Sequence, residues 1–160
     1  MDTEKLIAEG RAIIDRNCFM TLGTANADGE PWASPVYYVA DGYGTFYWIS
    51  SPEATQVRNI AARPQVGIVV FNSQQVPGSD EAVYMSATAC ELTGDELDRG
   101  LEIYLGKAPF SRGPEAFRPP GRYRAYRATV TGHFMLCPQA SSEPCPEHGR
   151  VSDHRMAVSL

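Results

Sequence analysis

The heptapeptide Gln65–Phe71, QVGIVVF, is apolar on both of the faces that a strand presents. Successive side chains of a strand point to opposite sides, so Val66, Ile68 and Val70 share one face while Val69 and Phe71 share the other. An antiparallel sheet with one wet face would alternate apolar with polar residues more cleanly. Strands of this kind belong in a barrel whose outside is also covered, by helices or by a second subunit.

Similar runs rich in β-branched and aromatic residues recur along the chain: CFMTLGTA, EPWASPVYYVA, GTFYWIS and AVYMSATACEL. Asp28-Gly29 and Asp41-Gly42 are turn signals between the first three, which follow one another as a meander. Leu6, Ile7, Ile13 and Ile14 recur at helical spacing and predict an amphipathic helix over 3–16. Thr93-Gly94-Asp95-Glu96 reads as a capping box opening the helix DELDRGLEIYL, with Leu97, Leu101, Ile103 and Tyr104 available for burial. Residues 106–122 read as a long loop with one helical turn around Phe117, YRAYRATVTGHFML as a long strand, 138–150 as a polar loop, and SDHRMAVSL as a last strand. No internal repeat or linker divides the chain, so residues 1–160 are expected to form a single domain, mostly β with flanking helices.

Basic residues number 14 against 19 acidic ones, a balance that argues against a nucleic-acid-binding surface. No apolar stretch is long enough to cross a bilayer, and MDTEKLIAEG is acidic and mixed where a signal peptide would be basic and then apolar, so no membrane partner and a cytoplasmic location are expected. The 4 cysteines then read as reduced thiols, with Cys18 and Cys90 as core residues between apolar neighbours.

The segment SSPEATQVRN interrupts two apolar runs. Ser51 is read as an N-cap, Pro52 as the first helical residue and Glu53 as part of the first turn. The first amides of a helix lack intrahelical partners and the dipole there is positive, so such an end can receive an anion. Ser50, Ser51 and Thr55 add hydroxyls, and Arg58 adds a positive charge one turn on. A self-capped connecting helix is the alternative reading of the same residues.

The succession TLGTANADGEPWASPVYY, GTFYWISSPEATQVRNIAARPQVGIVVF, AVYMSATACEL resembles the pyridoxamine 5'-phosphate oxidase-like family of flavin-binding split barrels, over roughly residues 10–136. The resemblance implies a six-stranded split β-barrel that forms a homodimer, with flavin mononucleotide (FMN) or the deazaflavin coenzyme in clefts between subunits. It implies that Ser34, Pro35, Val36 and Tyr37 run beside the isoalloxazine ring. Ile49 and Ser50 would meet the ring and ribityl chain, and Ser51, Thr55 and Gln56 would face the phosphate, with Arg58 in reach. The chain departs from the family where it has Thr55-Gln56 in place of Arg-Lys, Ser34 and Val39 in place of a further Arg and Lys, and Ala82 in place of a glutamine. Amides and hydroxyls neutralise a phosphate less well than charge-assisted bonds do.

The function implied is that of an FMN-dependent oxidoreductase acting on an unidentified small molecule, the cofactor carrying the hydride and the protein positioning it. Tyr84, Tyr123 and Tyr126 are candidates to contact substrate; no catalytic acid or base is identified. The alternatives are a deazaflavin-dependent reductase, a non-catalytic flavin- or ligand-binding protein on the same barrel, and a structural dimer with an empty cleft.

Arg112, Arg118, Arg122, Arg124 and Arg127, interleaved with Tyr123 and Tyr126, read either as a solvated strand face or as a cationic lip over the cleft. Cys137, Cys145, His148 and His154 are zinc-type ligands, but C-x7-C-x2-H-x5-H lacks the short first spacing of strong metal motifs. They are expected to be scattered loop residues, with no metal. Hydrolase, zincin, P-loop and dinucleotide-binding motifs are missing from the sequence.

Overall fold

The structure, a computed structural model, describes residues 3–138 and 144–160. Eight strands form one sheet: β1 (Phe19–Ala25), β2 (Pro31–Tyr37), β3 (Val39–Asp41), β4 (Thr45–Ser50), β5 (Gln65–Phe71), β6 (Ala82–Glu91), β7 (Arg124–Leu136) and β8 (Arg155–Val158). Helix α1 (Thr3–Arg16) precedes them, α2 (Thr55–Ala62) joins β4 to β5, and α3 (Gly94–Lys107) with a 3-10 turn (Pro114–Phe117) joins β6 to β7.

The strands lie in the order β2-β1-β5-β6-β7-β4-β3, all neighbours antiparallel, with β8 added to β7. Only Tyr38 separates β2 from β3, so the two ends of that order belong to one run of chain, and the sheet closes into a split barrel. Counted this way the barrel has the six expected walls. The count of eight arises because the second wall is broken at Tyr38 and because β8 extends the edge beyond β4 along β7. Both Asp-Gly turns form, with Gly29 at φ +88° and Gly42 at φ +61°, left-handed conformations that glycine adopts without strain.

Among the described residues two large apolar cores form, with a small buried cluster around Cys137 and Cys145 beside them. Met20, Leu22, Phe46, Trp48, Ile68, Val70, Val83 and Tyr126 fill the barrel, and Leu6, Ile13 and Ile14 of α1 close it from one side. Outside it, Val39, Tyr47 and Ala125 lie under Leu97, Leu101 and Tyr104 of α3 and Phe117. The two-faced strand β4 thus has its second face covered by a helix. On β5, Val66, Ile68 and Val70 are buried, while Val69 is half-buried and Phe71 remains 41% exposed.

Three local expectations are corrected. Thr93 caps α3 by position but its side chain makes no capping hydrogen bond. Cys18 and Cys90 are exposed. The alternation that turns Ala87 and Ala89 inward sends Cys90 outward, opposite Arg127. Among the described residues no helix is long and apolar enough to cross a membrane.

Candidate functional site

Helix α2 starts three residues later than the sequence predicts. Its N-cap is Ala54, which offers no side-chain cap, while Ser51 heads a separate turn: Ala54 N–H donates to Ser51 C=O at 3.1 Å and Glu53 N–H to Ser51 Oγ at 3.3 Å. The fixed φ of Pro52 suits the second position of a turn as well as the first position of a helix, and the serine hydroxyl favours the turn. Val57 and Arg58 N–H both return to Ala54 C=O, so the amides that helix geometry leaves over are those of Thr55 and Gln56.

This first helical turn sits at the split of the barrel. β2 pairs with β1, and β4 pairs with β3 and β7, so no ladder joins β2 to β4. Gln56 fills that gap. Ser34 Oγ donates to Gln56 Oε1 at 3.2 Å, and Gln56 Nε2 donates to Ser50 Oγ at 3.2 Å, with both serines buried. Deeper along α2, Asn59 Nδ2 donates to Thr24 Oγ1 at 3.0 Å, and Ile60 enters the barrel core. Three of the residues expected around a cofactor therefore meet, but their polar atoms are engaged with one another.

The remaining expected residues divide by face. Val36 is buried inside the barrel, and Pro35 is exposed on the outer face. Tyr37 lies edge-on to Phe19, Tyr104 and Phe110, and Ile49 packs with the α3 core. Ser51 and Arg58 are exposed and Thr55 is half-buried. Ser51, Thr55 and Arg58 carry hydroxyl and guanidinium donors; Thr55 and Arg58 are three apart on the helix and so are surface neighbours. That donor set fits a phosphate or carboxylate tail, with one full positive charge.

Of the arginines that the sequence offers as a cationic lip, one lies on the strand paired with β4. Arg124 lies opposite Ser50 in the β4–β7 pairing, only 16% exposed, and its Nε is 3.7 Å from Glu91 Oε1. Its Nη1 donates to Gly121 and Tyr123 carbonyls at 2.8 and 2.6 Å. Elsewhere in the arginine-rich stretch, Arg118 pairs with Asp98, and Arg127 with Glu96 at 3.1 Å. Arg112 lies over the Tyr123 ring at 4.7 Å, and Arg122 is exposed. The expected cationic lip is thus largely spent on acidic and aromatic partners. Tyr126 is removed as a substrate contact: it is buried and stacked on Trp48, centroids 5.6 Å apart.

Outside the barrel, cross-strand register lines up Pro35, Thr21, Val69, Tyr84, Phe134 and Ala157 in one row. The next row holds Ala33, Gly23, Gly67 and Ser86. A Cβ placed on Gly67 would meet nothing within 4 Å, so this part of the face is a shallow floor of small residues. Along the Tyr84 row a cleft of about 590 Å³ is lined by Val69, Ala82, Tyr84, His154 and Arg155, the Arg155 guanidinium lying 3.7 Å from the Tyr84 ring centroid. Period-two patterning could have located this floor, since Ala33, Gly23 and Gly67 are the small members of three outward sets.

The four cysteine and histidine residues expected to be scattered are gathered instead. The ligand atoms of Cys137, Cys145, His148 and His154 all lie within 4.8 Å of one another, and all but His148 are buried. The chain folds back between β7 and β8, so spacing along the sequence underreports spacing in space.

No curated protein sequence matches the chain. Solved structures do. ChuZ of Campylobacter jejuni matches over all of this chain and 64% of its own, at 14% identity and TM-score 0.70. A heme binding protein from Mycobacterium smegmatis matches over 93% of this chain and 56% of its own, at 20% identity and TM-score 0.61. An F420 reductase matches over 78% of this chain and 94% of its own, at 16% identity and TM-score 0.57. This chain spans less than two thirds of the first two proteins, and likeness at such identities shows the fold. The sequence model described as Pyridoxamine 5'-phosphate oxidase matches residues 6–137, most of the chain and every strand of the barrel wall, and the chain therefore belongs to the pyridoxamine 5'-phosphate oxidase family.

Proposed function

We propose that two copies of the chain pair through the outer face of β1, β2, β5 and β6, and that the crevices between them hold FMN for an oxidoreductase acting on a small molecule. The observation that carries this is the adjacency of an anion-compatible donor set to a flat apolar floor. Gln56 of the first α2 turn touches Ser34, and the next residue of β2, Pro35, turns outward beside Thr21 on that floor. Ser51, Thr55 and Arg58 would hold the phosphate, while Pro35 and Tyr37, the residues of the 34–37 stretch that alternate away from the barrel interior, would border the ring. FMN supplies hydride transfer when bound, so the chain itself needs no acid–base pair. Tyr84 and Tyr123 are the remaining candidates to contact substrate.

The half-buried row of Thr21, Val69, Tyr84 and Phe134 supports the homodimer, because no helix among the described residues covers it. A second reading, binding without turnover, is favoured by Gln56. With that side chain committed to two serines, the phosphate end is held by one guanidinium and hydroxyls, a weaker set than paired cations. The deazaflavin coenzyme and haem are the ligands that the names of similar structures suggest for this second case.

Anaerobic mixing of FMN-loaded protein with reduced nicotinamide separates the readings. Bleaching of the flavin absorption, reversed by an added quinone or enone, supports the oxidoreductase. A bound flavin that stays oxidised supports the binding protein.

A further inference from the structure

We propose that Cys137, Cys145, His148 and His154 form a closed tetrahedral zinc site that clamps the C-terminal strand β8 to β7.

Four interatomic distances are those of a tetrahedron's edges. Cys137 Sγ and Cys145 Sγ are 3.9 Å apart, the two sulfurs lie 3.7 and 3.6 Å from His148 Nδ1, and His154 Nε2 lies 3.1 Å from His148 Nδ1. With Zn–S of about 2.3 Å and Zn–N of about 2.0–2.1 Å, a tetrahedral ion gives edges of about 3.8 Å for S···S, about 3.6 Å for S···N and about 3.3 Å for N···N. The sulfur separation is far from the roughly 2.05 Å of a disulfide.

Hydrogen bonding alone does not account for the convergence. His148 Nδ1 faces two sulfurs and a second imidazole nitrogen, yet a ring nitrogen has one donor or acceptor direction in its plane. A cation at the centre receives a lone pair from all four groups. The tautomer of His154 is already set for this. Its Nδ1 is 3.0 Å from Ser152 C=O, so Nδ1 carries the donating proton and Nε2 presents its lone pair inward.

The backbone holds the ligands in place. Cys137 N–H donates to His154 C=O at 2.9 Å, continuing the β7–β8 ladder by one step. Cys145 N–H donates to Arg150 C=O and Gly149 N–H to Cys145 C=O, both at 2.7 Å, closing a tight loop around His148 with Gly149 at φ +63°. Two thiolates and two neutral imidazoles neutralise a dication, which suits a centre whose cysteines are 2% and 1% exposed. Two sulfurs and two imidazoles in tetrahedral order select zinc over the hard, oxygen-preferring cations. Four protein ligands leave no open coordination position, so the role is structural. The element it secures, β8, carries Arg155 into the cleft beside Tyr84.

The test is elemental analysis of protein purified without chelator or metal-affinity resin, with Cys145→Ser and His148→Ala alongside. The expected result is about one zinc per chain in the parent and nearly none in Cys145→Ser. His148 is exposed, so His148→Ala keeps the barrel folded even where the cysteine variant does not, and it is expected to release its metal to a chelator that leaves the parent loaded. Cobalt loaded into the parent is expected to give the intense visible bands of a tetrahedral thiolate site, and chelation is expected to open the segment after Leu136 to protease. Parent protein that takes up no zinc or cobalt, or that carries a Cys137–Cys145 disulfide under non-oxidising purification, overturns the proposal. So does metal retention equal to the parent's in both variants.

Discussion

Ser34 on β2 and Ser50 on β4 are joined through a single amide, that of Gln56, at 3.2 Å on each side. The barrel has no ladder there, so this side chain takes the place of strand pairing at the split. Gln56→Ala leaves two buried hydroxyls without that partner, which costs about 1–3 kcal/mol. Urea unfolding of the variant is expected to show a lower midpoint with an unchanged slope; an unchanged midpoint removes Gln56 as the stitch.

Arg58 is exposed, and no hydrogen bond or ion pair of its side chain is found among the described residues. Arg58→Ala is therefore expected to leave thermal stability within experimental scatter while weakening FMN binding about tenfold or more, as loss of a charge-assisted hydrogen bond does. Isothermal titration alongside a melting curve reads both quantities, and equal affinity takes Arg58 out of the site.

Val69 occupies the middle of the uncovered outer row, between Thr21 and Tyr84. Val69→Asp places a carboxylate where the proposed second copy would bury it, and sedimentation is expected to show monomer where the parent shows dimer. A parent that is monomeric at all concentrations contradicts the pairing.

Burial raises Tyr104 and Tyr126 from the usual 10.0 to about 12, and it raises Tyr38, whose hydroxyl donates to Ile14 C=O at 2.6 Å, further still. Protons are thus held more tightly in the folded state. Stability from these groups is intact below pH 10 and is lost as pH climbs toward 12, because there the unfolded chain ionises first. Thermal melts between pH 9 and 12 are expected to fall on the alkaline side, and Tyr126→Phe, which also removes a buried hydroxyl that has no hydrogen-bond partner among the described residues, is expected to flatten the fall.

The barrel was legible because its walls are long and strongly patterned. QVGIVVF forms a strand over the residues its alternation indicates, and the amphipathic spacing of Leu6, Ile13 and Ile14 yields α1. The cover on the outer side of β4 was also foreseeable from Tyr47 and Ile49, which alternate with Phe46 and Trp48. What could not be read was anything decided by pairing between distant segments. Pro52 fits a turn and a helix start equally well, and only the meeting of Gln56 with Ser34 and Ser50 decides where α2 begins. Tyr126 reads as available because it lies in an arginine-rich stretch, but strand alternation sends it inward onto Trp48. The Cys/His cluster was hidden for the same reason, its members being brought together by the β7–β8 pairing.

Titration of the purified protein with FMN, followed by flavin fluorescence and visible absorption, is the most direct test of cofactor binding at the start of α2. Saturable quenching with one FMN per chain, a perturbed flavin band, and weaker binding in Arg58→Ala are expected. An unchanged spectrum at FMN concentrations far above those of the protein, with saturable binding of the deazaflavin or haem in its place, would contradict FMN binding at that site.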